Sequence, residues 1–184
     1  TPDEPFAILW SDHLVKRDRT FRKILVASGA IVSQRPNSIV FVGQKPRFAS
    51  VNLGWIDYGK TITEENGIAF HSLIDFQYRP DEEIAKKYFV SGHHAWNLGY
   101  FVTTPQFLWK SFEEFSPNLF KQLRLISEAY GTKNYSPVLN KIYPTIEKTS
   151  FDNAVLEKMD RKYGRVISAD IGWSDVGAWE GLKE

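Results

Sequence analysis

"FAILW" (residues 6–10) is a short apolar run of the kind found in strands that are buried on both faces. From Lys16 to Gln34 the apolar side chains recur at helical spacing, with basic side chains on the other side. "NSIVFVG" then indicates a second strand at 38–42. A strand, a helix and a strand in this order form a βαβ unit, which predicts parallel strands joined by a right-handed crossover.

Strand and helix patterns alternate along the rest of the chain. Further strands are predicted at 53–59, 67–80, 94–104 and 164–170, and helices at 80–92, 104–115, 116–130, 136–147 and 150–158. We expect "TITEENG" (61–67) to form a turn, Ser150 or Asp152 to cap the last helix, and "IGWSDVG" (171–177) to be a loop. The predicted fold class is α/β, with a Rossmann-like mixed, mostly parallel sheet flanked by helices.

Composition excludes several classes of protein. The 184 residues favour one domain, and 23 basic against 22 acidic side chains give no excess charge for binding nucleic acid or an anionic membrane. No apolar run approaches the ~20 residues that span a bilayer, and the N-terminus has no secretory signal pattern. Cysteine is absent, which excludes disulfides and thiolate metal sites. Aromatic residues make up 15%, which suits a large core, a stacking site for sugars, or both.

The position of methionine suggests that the chain is part of a larger protein. The one methionine is Met159, and the sequence opens on what looks like a buried strand. We therefore expect a partial domain over 1–184, which leaves a sheet edge and apolar surface uncovered and favours self-association into a homo-oligomer.

Two aspartates follow predicted strands, where α/β sheets bind ligands. Asp12 follows the first strand, and Asp175 lies in the last loop between Trp173 and Trp179. A carboxylate beside large apolar rings needs a partner, and two such carboxylates can hold one Mg²⁺ together with phosphate oxygens. The alternative is two unrelated loop aspartates, with Asp12 capping a helix, and spacing alone favours it.

The other candidate residues have ordinary alternatives as well. Asn97 has the amide donors and acceptor that suit sugar hydroxyls, or it bonds the backbone at a strand edge. Arg79 precedes a proline, so its backbone is expected to be extended, and it either binds phosphate or lies on the surface. Lys158 ends a short helix, where the dipole favours a cation. His93 and His94 are adjacent, so in a strand they point to opposite faces, and we assign them no chemistry.

Taken in order, six segments resemble a known family. They are "WSDH" (10–13), "NLGWIDYG" (52–59), "FQYRP" (76–80), "HAWNLGYF" (94–101), "FDNAVLEK" (151–158) and "IGWSDVGAWEGL" (171–182). The chain resembles the sugar nucleotidyltransferases from about Phe6 to its end, and most closely the mannose-1-phosphate guanylyltransferases, or GDP-mannose pyrophosphorylases. The fifth and sixth segments are the specific part of this resemblance.

The resemblance implies a set of site residues. It gives Asp12 and Asp175 as Mg²⁺ ligands with catalytic roles, and Gly54, Asp57, Arg79, Asn97, Glu157 and Lys158 as substrate contacts. Gly54 and Asp57 would border the sugar, and Asn97 would contact its hydroxyls. Glu157 and Lys158 match the family's pair near the sugar phosphate.

This sequence departs from the family pattern in several places. The family's Glu-Lys-Pro segment is Tyr78-Arg79-Pro80 here, Asp57 stands where the family more often has Glu, and Leu98 replaces a small residue, a change that could reshape the sugar pocket. The N-terminal strand and the glycine-rich loop of the family fold precede the region that this sequence matches, and the resemblance implies that the loop's Arg and Lys bind the nucleotide phosphates.

The implied reaction joins mannose 1-phosphate to GTP in the cytoplasm, giving GDP-mannose and pyrophosphate, with Mg²⁺ as cofactor and no nucleic-acid or membrane partner. This chain would supply the sugar half of the site and the metal aspartates, and alone it could be inactive. Three alternatives stay open: another hexose 1-phosphate, a catalytically silent relative that binds a nucleotide sugar, and a plain carbohydrate-binding module.

Overall fold

The computed structural model describes residues 1–176, which fall into two compact units. The first comprises Thr1–Phe107 and the segment from Asp160 onward, and the second comprises Leu108–Met159. The sequence also predicts that "GAWEGLKE" (177–184) begins a helix and that Trp179 packs in the core, but this segment lies outside the described residues. Among the described helices, none is both long and apolar enough to cross a membrane.

A six-stranded mixed sheet forms the centre of the first unit. Its strands are β1 (Phe6–Ile8), β3 (Ile39–Gln44), β4 (Gly54–Glu65), β5 (Ile68–Gln77), β6 (His94–Thr103) and β7 (Gly164–Ala169), in the order β1-β6-β3-β7-β5-β4, with a further pairing of β6 and β4. Two short strands, β2 (Leu14–Val15) and β8 (Trp173–Ser174), pair antiparallel apart from it. The loop expected at 171–177 therefore contains a strand.

The predicted α/β class with a mixed sheet and flanking helices is confirmed, but the expectation of mostly parallel pairing is wrong. Among the described pairings only β3 and β7 run parallel. β1 and β3 do run in the same direction, but β6 is inserted between them and is antiparallel to both. Strand order depends on contacts between distant segments, which a βαβ pattern does not specify.

The β4–β5 hairpin is longer than its sequence pattern suggested. Its turn consists of Asn66 and Gly67 alone, with φ values of 52° and 74°. Two consecutive residues at positive φ are what a two-residue type I′ turn requires, and Asn-Gly is its favoured sequence. The five residues 61–65, expected in the turn, belong to β4.

The first unit has two helices, α1 (Asp18–Gln34) and α2 (Glu82–Ser91), both predicted from the sequence. The apolar stripe of α1 faces the sheet through its buried residues Ile24, Ala27, Ser28, Ile31 and Val32. In α2 the Asp81 carboxylate accepts a hydrogen bond from the Ile84 N–H at 2.8 Å. Gly92 ends the helix at φ 76°, a conformation that costs glycine little.

Three tryptophans pack together beneath α1. Trp55, Trp96 and Trp173 are almost completely buried in the same core cluster, and the Trp96 ring centroid lies 6.4 Å from each of the other two. This cluster reaches from β4 through β6 to β8. It therefore fixes the position of the segment that leads into Asp175.

The second unit is helical. It contains α4 (Pro117–Ala129), α5 (Tyr135–Ile142) and most of α3 (Pro105–Phe115), followed by a π-helical turn at Asp152–Leu156. The Ser116 hydroxyl donates to the Ala154 carbonyl at 2.7 Å. Of the two expected caps, Ser150 fills the role, because its hydroxyl accepts from the Asn153 N–H at 3.2 Å.

Candidate functional site

A buried glutamine organises the edge where the parallel strands β3 and β7 end. The Gln44 side chain is fully buried. Its Oε1 accepts from the N–H groups of Ile171, at 3.0 Å, and Trp173, at 3.3 Å. Its Nε2 donates to the Lys45 carbonyl at 3.0 Å and to Asp170 Oδ1 at 3.2 Å. The amide thus ties the end of β3 to the segment that carries Asp175.

Asp170 supports the same segment from the other side. Its carboxylate accepts from the Gly172 N–H at 3.0 Å and forms an ion pair with Arg17 at 2.8 Å. The hydrogen bond from the Gly172 N–H, followed by those from Gln44 and the charge of Arg17, lowers the pKa of Asp170 below its usual range. Neither Gln44 nor Asp170 was identified from the sequence, although Gln44 ends the apolar strand β3 and Asp170 directly follows β7.

We expect Asp170 to make stability depend on pH on the acidic side. Since the pKa of Asp170 is lower in the folded protein than in the unfolded chain, its stabilisation is present above the unfolded value of about 4 and is lost as pH falls through the folded pKa. Asp170→Asn removes this contribution. Urea titrations from neutral to acidic pH should show a shallower fall in unfolding free energy for the variant. Parallel curves would contradict this role.

The β2–β8 pairing brings the two predicted metal aspartates to the same place. Leu14 pairs with Ser174 and Val15 with Trp173, so Asp12 and Asp175 lie at the same end of this ladder. Asp12 is exposed and Asp175 is half-buried. Two segments about 160 residues apart in the chain therefore place their carboxylates in one neighbourhood, as a shared ion would need.

His13, which follows Asp12 in the chain, packs against Tyr100 and Trp173. The Trp173 indole N–H donates to His13 Nδ1 at 3.1 Å, and the His13 ring lies 5.5 Å from that of Tyr100. Burial raises the pKa of the Tyr100 phenol, and the negative charges of Asp12 and Asp175 add to this increase. The charges of both aspartates therefore act on the same phenol.

Asn97 adjoins this neighbourhood through a bulge in β6. Its Oδ1 accepts from the Gly99 N–H at 3.1 Å, and Gly99 has φ 68°. Trp10, two residues before Asp12, lies directly on Gly99, since a Cβ built there would approach the indole nitrogen to 2.3 Å. The Asn97 bulge and the Asp12 segment are therefore in contact. Gly54 is the cross-strand neighbour of Asn97 in the β4–β6 pairing.

We expect Gly99→Ala to strain this contact. In this variant alanine must adopt a positive φ, and its Cβ clashes with the Trp10 ring. Gly67→Ala is the matched control, because Gly67 has φ 74° but no neighbouring atom within 4 Å of a built Cβ. In urea unfolding we expect Gly67→Ala to cost about 1 kcal/mol and Gly99→Ala about 1 kcal/mol more. Equal losses would mean that Trp10 moves aside freely.

Asp57 is not brought together with Asn97. The register of β4 and β6 is regular from Gly54 to Asp57, and side chains alternate along a strand, so the two ends of this run face opposite sides of the sheet. The Asp57 carboxylate instead lies 2.9 Å from Nδ1 of His93. The Asp57 carboxylate therefore lies on the other side of the sheet from Asn97, whereas the resemblance implies that both residues contact the sugar.

The expectation of an extended backbone at Arg79 is wrong. Arg79 has φ 45°, in the left-handed region, despite the proline that follows it. Its Nε donates to the Asn52 carbonyl at 3.1 Å, and its guanidinium carbon lies 5.1 Å from the centre of the Tyr78 ring. These contacts hold the Arg79 side chain and offset the strain of its positive φ. The steric rule for residues before proline does not take such contacts into account.

Glu157 and Lys158 belong to the second unit. Lys158 Nζ donates to the carbonyl of Phe115, the last residue of α3, at 3.2 Å. This position fits a cation at a helix C-terminus, the alternative considered from the sequence, although the helix concerned is another one. The Glu157 N–H donates to the Asp152 carbonyl at 3.0 Å. The role of both residues near a sugar phosphate stays a prediction.

Leu98 lies in the core, and its effect on a sugar pocket stays a prediction. Its side chain is buried in the core cluster beneath α1, so this departure from the family pattern fills part of the core. Tyr100 and Trp10 were also missed as neighbours of the aspartates. Only the alternation of side chains along β6 could have indicated that Tyr100 lies near the aspartates. Nothing in the sequence places Trp10 on Gly99.

Similarity to known proteins extends along the chain. "Mannose-1-phosphate guanylyltransferase 2" of Escherichia coli O157:H7 is 27% identical over 98% of this chain, and a putative mannose-1-phosphate guanylyltransferase of Vibrio cholerae is 28% identical over 99%. A crystal structure from Thermus thermophilus, described as a mannose-1-phosphate geranyltransferase, covers 97% of this chain and 48% of its own, with 26% identity and a TM-score of 0.77. No protein-family model matches the chain.

The resemblance seen in the sequence is thereby confirmed. The chain spans 37% and 38% of the lengths of these two curated relatives, so it corresponds to a minor part of each.

Proposed function

We propose that this chain, which resembles the mannose-1-phosphate guanylyltransferases in sequence and fold, is part of the catalytic domain of a cytoplasmic nucleotidyltransferase that forms GDP-mannose and pyrophosphate from GTP and mannose 1-phosphate. The observation that carries this proposal is the β2–β8 pairing, which places Asp12 and Asp175 at the same end of one ladder. The same two residues occupy the metal positions that the family resemblance implies.

The donor set fits Mg²⁺. Two carboxylates from separate segments suit a hard cation that takes oxygen ligands and keeps several waters. Asp12 and Asp175 would hold the ion, and when bound it would neutralise charge on the phosphates of both substrates. Gln44 and Asp170 fix the backbone before Asp175, so that carboxylate is positioned before any ligand arrives.

The remaining contributions come from positioning. The reaction is an in-line attack of a sugar-phosphate oxygen on the α-phosphorus of GTP, which needs orientation and charge stabilisation more than covalent chemistry. Asn97, beside Gly54, is proposed to read sugar hydroxyls, and the guanidinium of Arg79 to offset phosphate charge. Asp57 faces the other side of β4, so its carboxylate is not among the groups proposed to contact the sugar.

Calorimetric titration of the folded chain with mannose 1-phosphate tests this proposal. We expect saturable binding that is stronger with Mg²⁺ than without it, and no comparable binding of mannose alone. Glucose 1-phosphate in the same titration separates the proposed sugar from another hexose. Binding that depends on neither the phosphate nor Mg²⁺ would favour a carbohydrate-binding module and would contradict the proposed site.

A further inference from the structure

The Asp57, His93 and His94 side chains converge at the junction of α2, β4 and β6. One ligand atom from each of the three lies within 4.8 Å of the others. The expectation from the sequence that adjacent histidines point apart is wrong here, because His93 precedes the strand in a bend and only His94 begins β6. The two rings therefore lie 4.6 Å apart between centroids.

We propose that these three side chains form a binding site for a borderline divalent cation such as Zn²⁺, separate from the aspartate pair. Two imidazole nitrogens and one carboxylate are a donor set that Zn²⁺ accepts and that Mg²⁺, which demands oxygen, does not favour. Three protein ligands leave one tetrahedral position for water or another ligand. This inference does not depend on the proposed nucleotidyltransferase activity.

The hydrogen bond between His94 and Ser91 fixes the tautomer of the His94 ring. The hydroxyl of Ser91 has one proton, which it donates to the Tyr88 carbonyl at 2.7 Å. The Ser91 oxygen therefore accepts its 2.6 Å contact from Nδ1–H of His94. A neutral imidazole with its proton on Nδ1 has its lone pair on Nε2. Fixing the tautomer from outside in this way is typical of histidines that bind metals.

Packing holds the His94 ring in place. The ring stacks on Tyr88 at 4.0 Å with an interplanar angle of 16°, and His94 is 7% exposed. The conformational entropy of the His94 side chain is therefore already lost on folding and not on metal binding. A cation here also lies beside the C-terminal end of α2, where the helix dipole favours positive charge.

Asp57 and His93 complete the set at the open side. Asp57 pairs with His94 in the regular β4–β6 register, and the N–H of Tyr58 donates to the His93 carbonyl at 3.1 Å, so both ligands rest on anchored backbone. Oδ1 of Asp57 and Nδ1 of His93 are 2.9 Å apart. Neighbouring ligands of a tetrahedral Zn²⁺ are about 3.3 Å apart, so a small outward movement admits the ion. The shared proton then moves to Nε2 of His93, whose ring stays neutral.

Titration of the metal-free chain with Zn²⁺ and with Co²⁺ tests the site. We expect one bound equivalent, a visible Co²⁺ spectrum typical of tetrahedral nitrogen and oxygen ligands, and no displacement by excess Mg²⁺. His93→Ala, at an exposed position, should weaken Zn²⁺ binding at least about tenfold, as should Asp57→Asn. Asp18→Asn is the control, because Asp18 is an exposed carboxylate on α1 outside the cluster, and the Zn²⁺ affinity of this variant should equal that of the wild type.

Nitrogen chemical shifts of the imidazoles give a second readout that does not depend on how well a variant folds. In the metal-free wild type we expect the Nδ1–H tautomer at His94, and on adding Zn²⁺ a shift at its Nε2. Unchanged Zn²⁺ affinity in both His93→Ala and Asp57→Asn, or a Zn²⁺-induced shift at His13 instead of His94, would overturn the proposal.

Discussion

Asp175→Asn should lower turnover of the intact enzyme at least about a hundredfold while the chain stays folded. The change keeps the size of the side chain but removes one of the two charges proposed to hold Mg²⁺. Asp175 follows β8, whose pairing with β2 is between backbone groups and does not need the carboxylate. Steady-state assays of GDP-mannose formation, together with circular dichroism of the variant, measure both parts of this expectation.

The second aspartate provides an internal test of the same idea. If Asp12 and Asp175 act on one ion, Asp12→Asn should cause a similar loss, and the double variant should be little worse than either single one. Asp18→Asn is the matched control, since Asp18 is an exposed aspartate whose partner is Arg22 at 3.5 Å on the same helix. Turnover of Asp175→Asn within a few-fold of wild type would refute the role of the pair.

Local features were predictable from the sequence because neighbouring residues determine them. The helix α2 begins at its Asp81 cap and ends at Gly92, and both residue types are typical of these helix ends. The apolar stripe of α1 likewise identified the face that is buried. Strand order was not predictable in this way, since the insertion of β6 between β1 and β3 depends on contacts far apart in the chain.

In the candidate site, too, local features were predictable and contacts between distant segments were not. The two aspartates were found because they follow strands, but the ladder that joins their segments has only two residue pairs and left no recognisable pattern. His93 and His94 were assigned no chemistry because the alternation of side chains along a strand was applied to both, although His93 lies in a bend before the strand that begins at His94. The left-handed backbone at Arg79 is held by the contact of its side chain with Asn52, which a steric rule for residues before proline does not consider.

Gln44→Ala should destabilise the protein by about 2–4 kcal/mol, the largest expected loss of stability. The truncation leaves the N–H groups of Ile171 and Trp173 without the oxygen that both now use, in a fully buried position. Each buried donor without a partner costs about 1–3 kcal/mol. Urea unfolding followed by far-UV circular dichroism measures the loss, with Gln34→Ala as an exposed control that should change stability by less than about 0.5 kcal/mol.

The same substitution separates stability from function. Because Gln44 holds the segment before Asp175 but does not itself belong to the aspartate pair, Gln44→Ala should weaken Mg²⁺-dependent binding of mannose 1-phosphate even where the protein is fully folded. The Zn²⁺ affinity of the cluster at α2 should stay unchanged, since that cluster shares no hydrogen bond with Gln44 among the described contacts. A loss of stability no larger than that of Gln34→Ala would mean that water replaces the amide, and the segment would then be held by Asp170 and the tryptophan core.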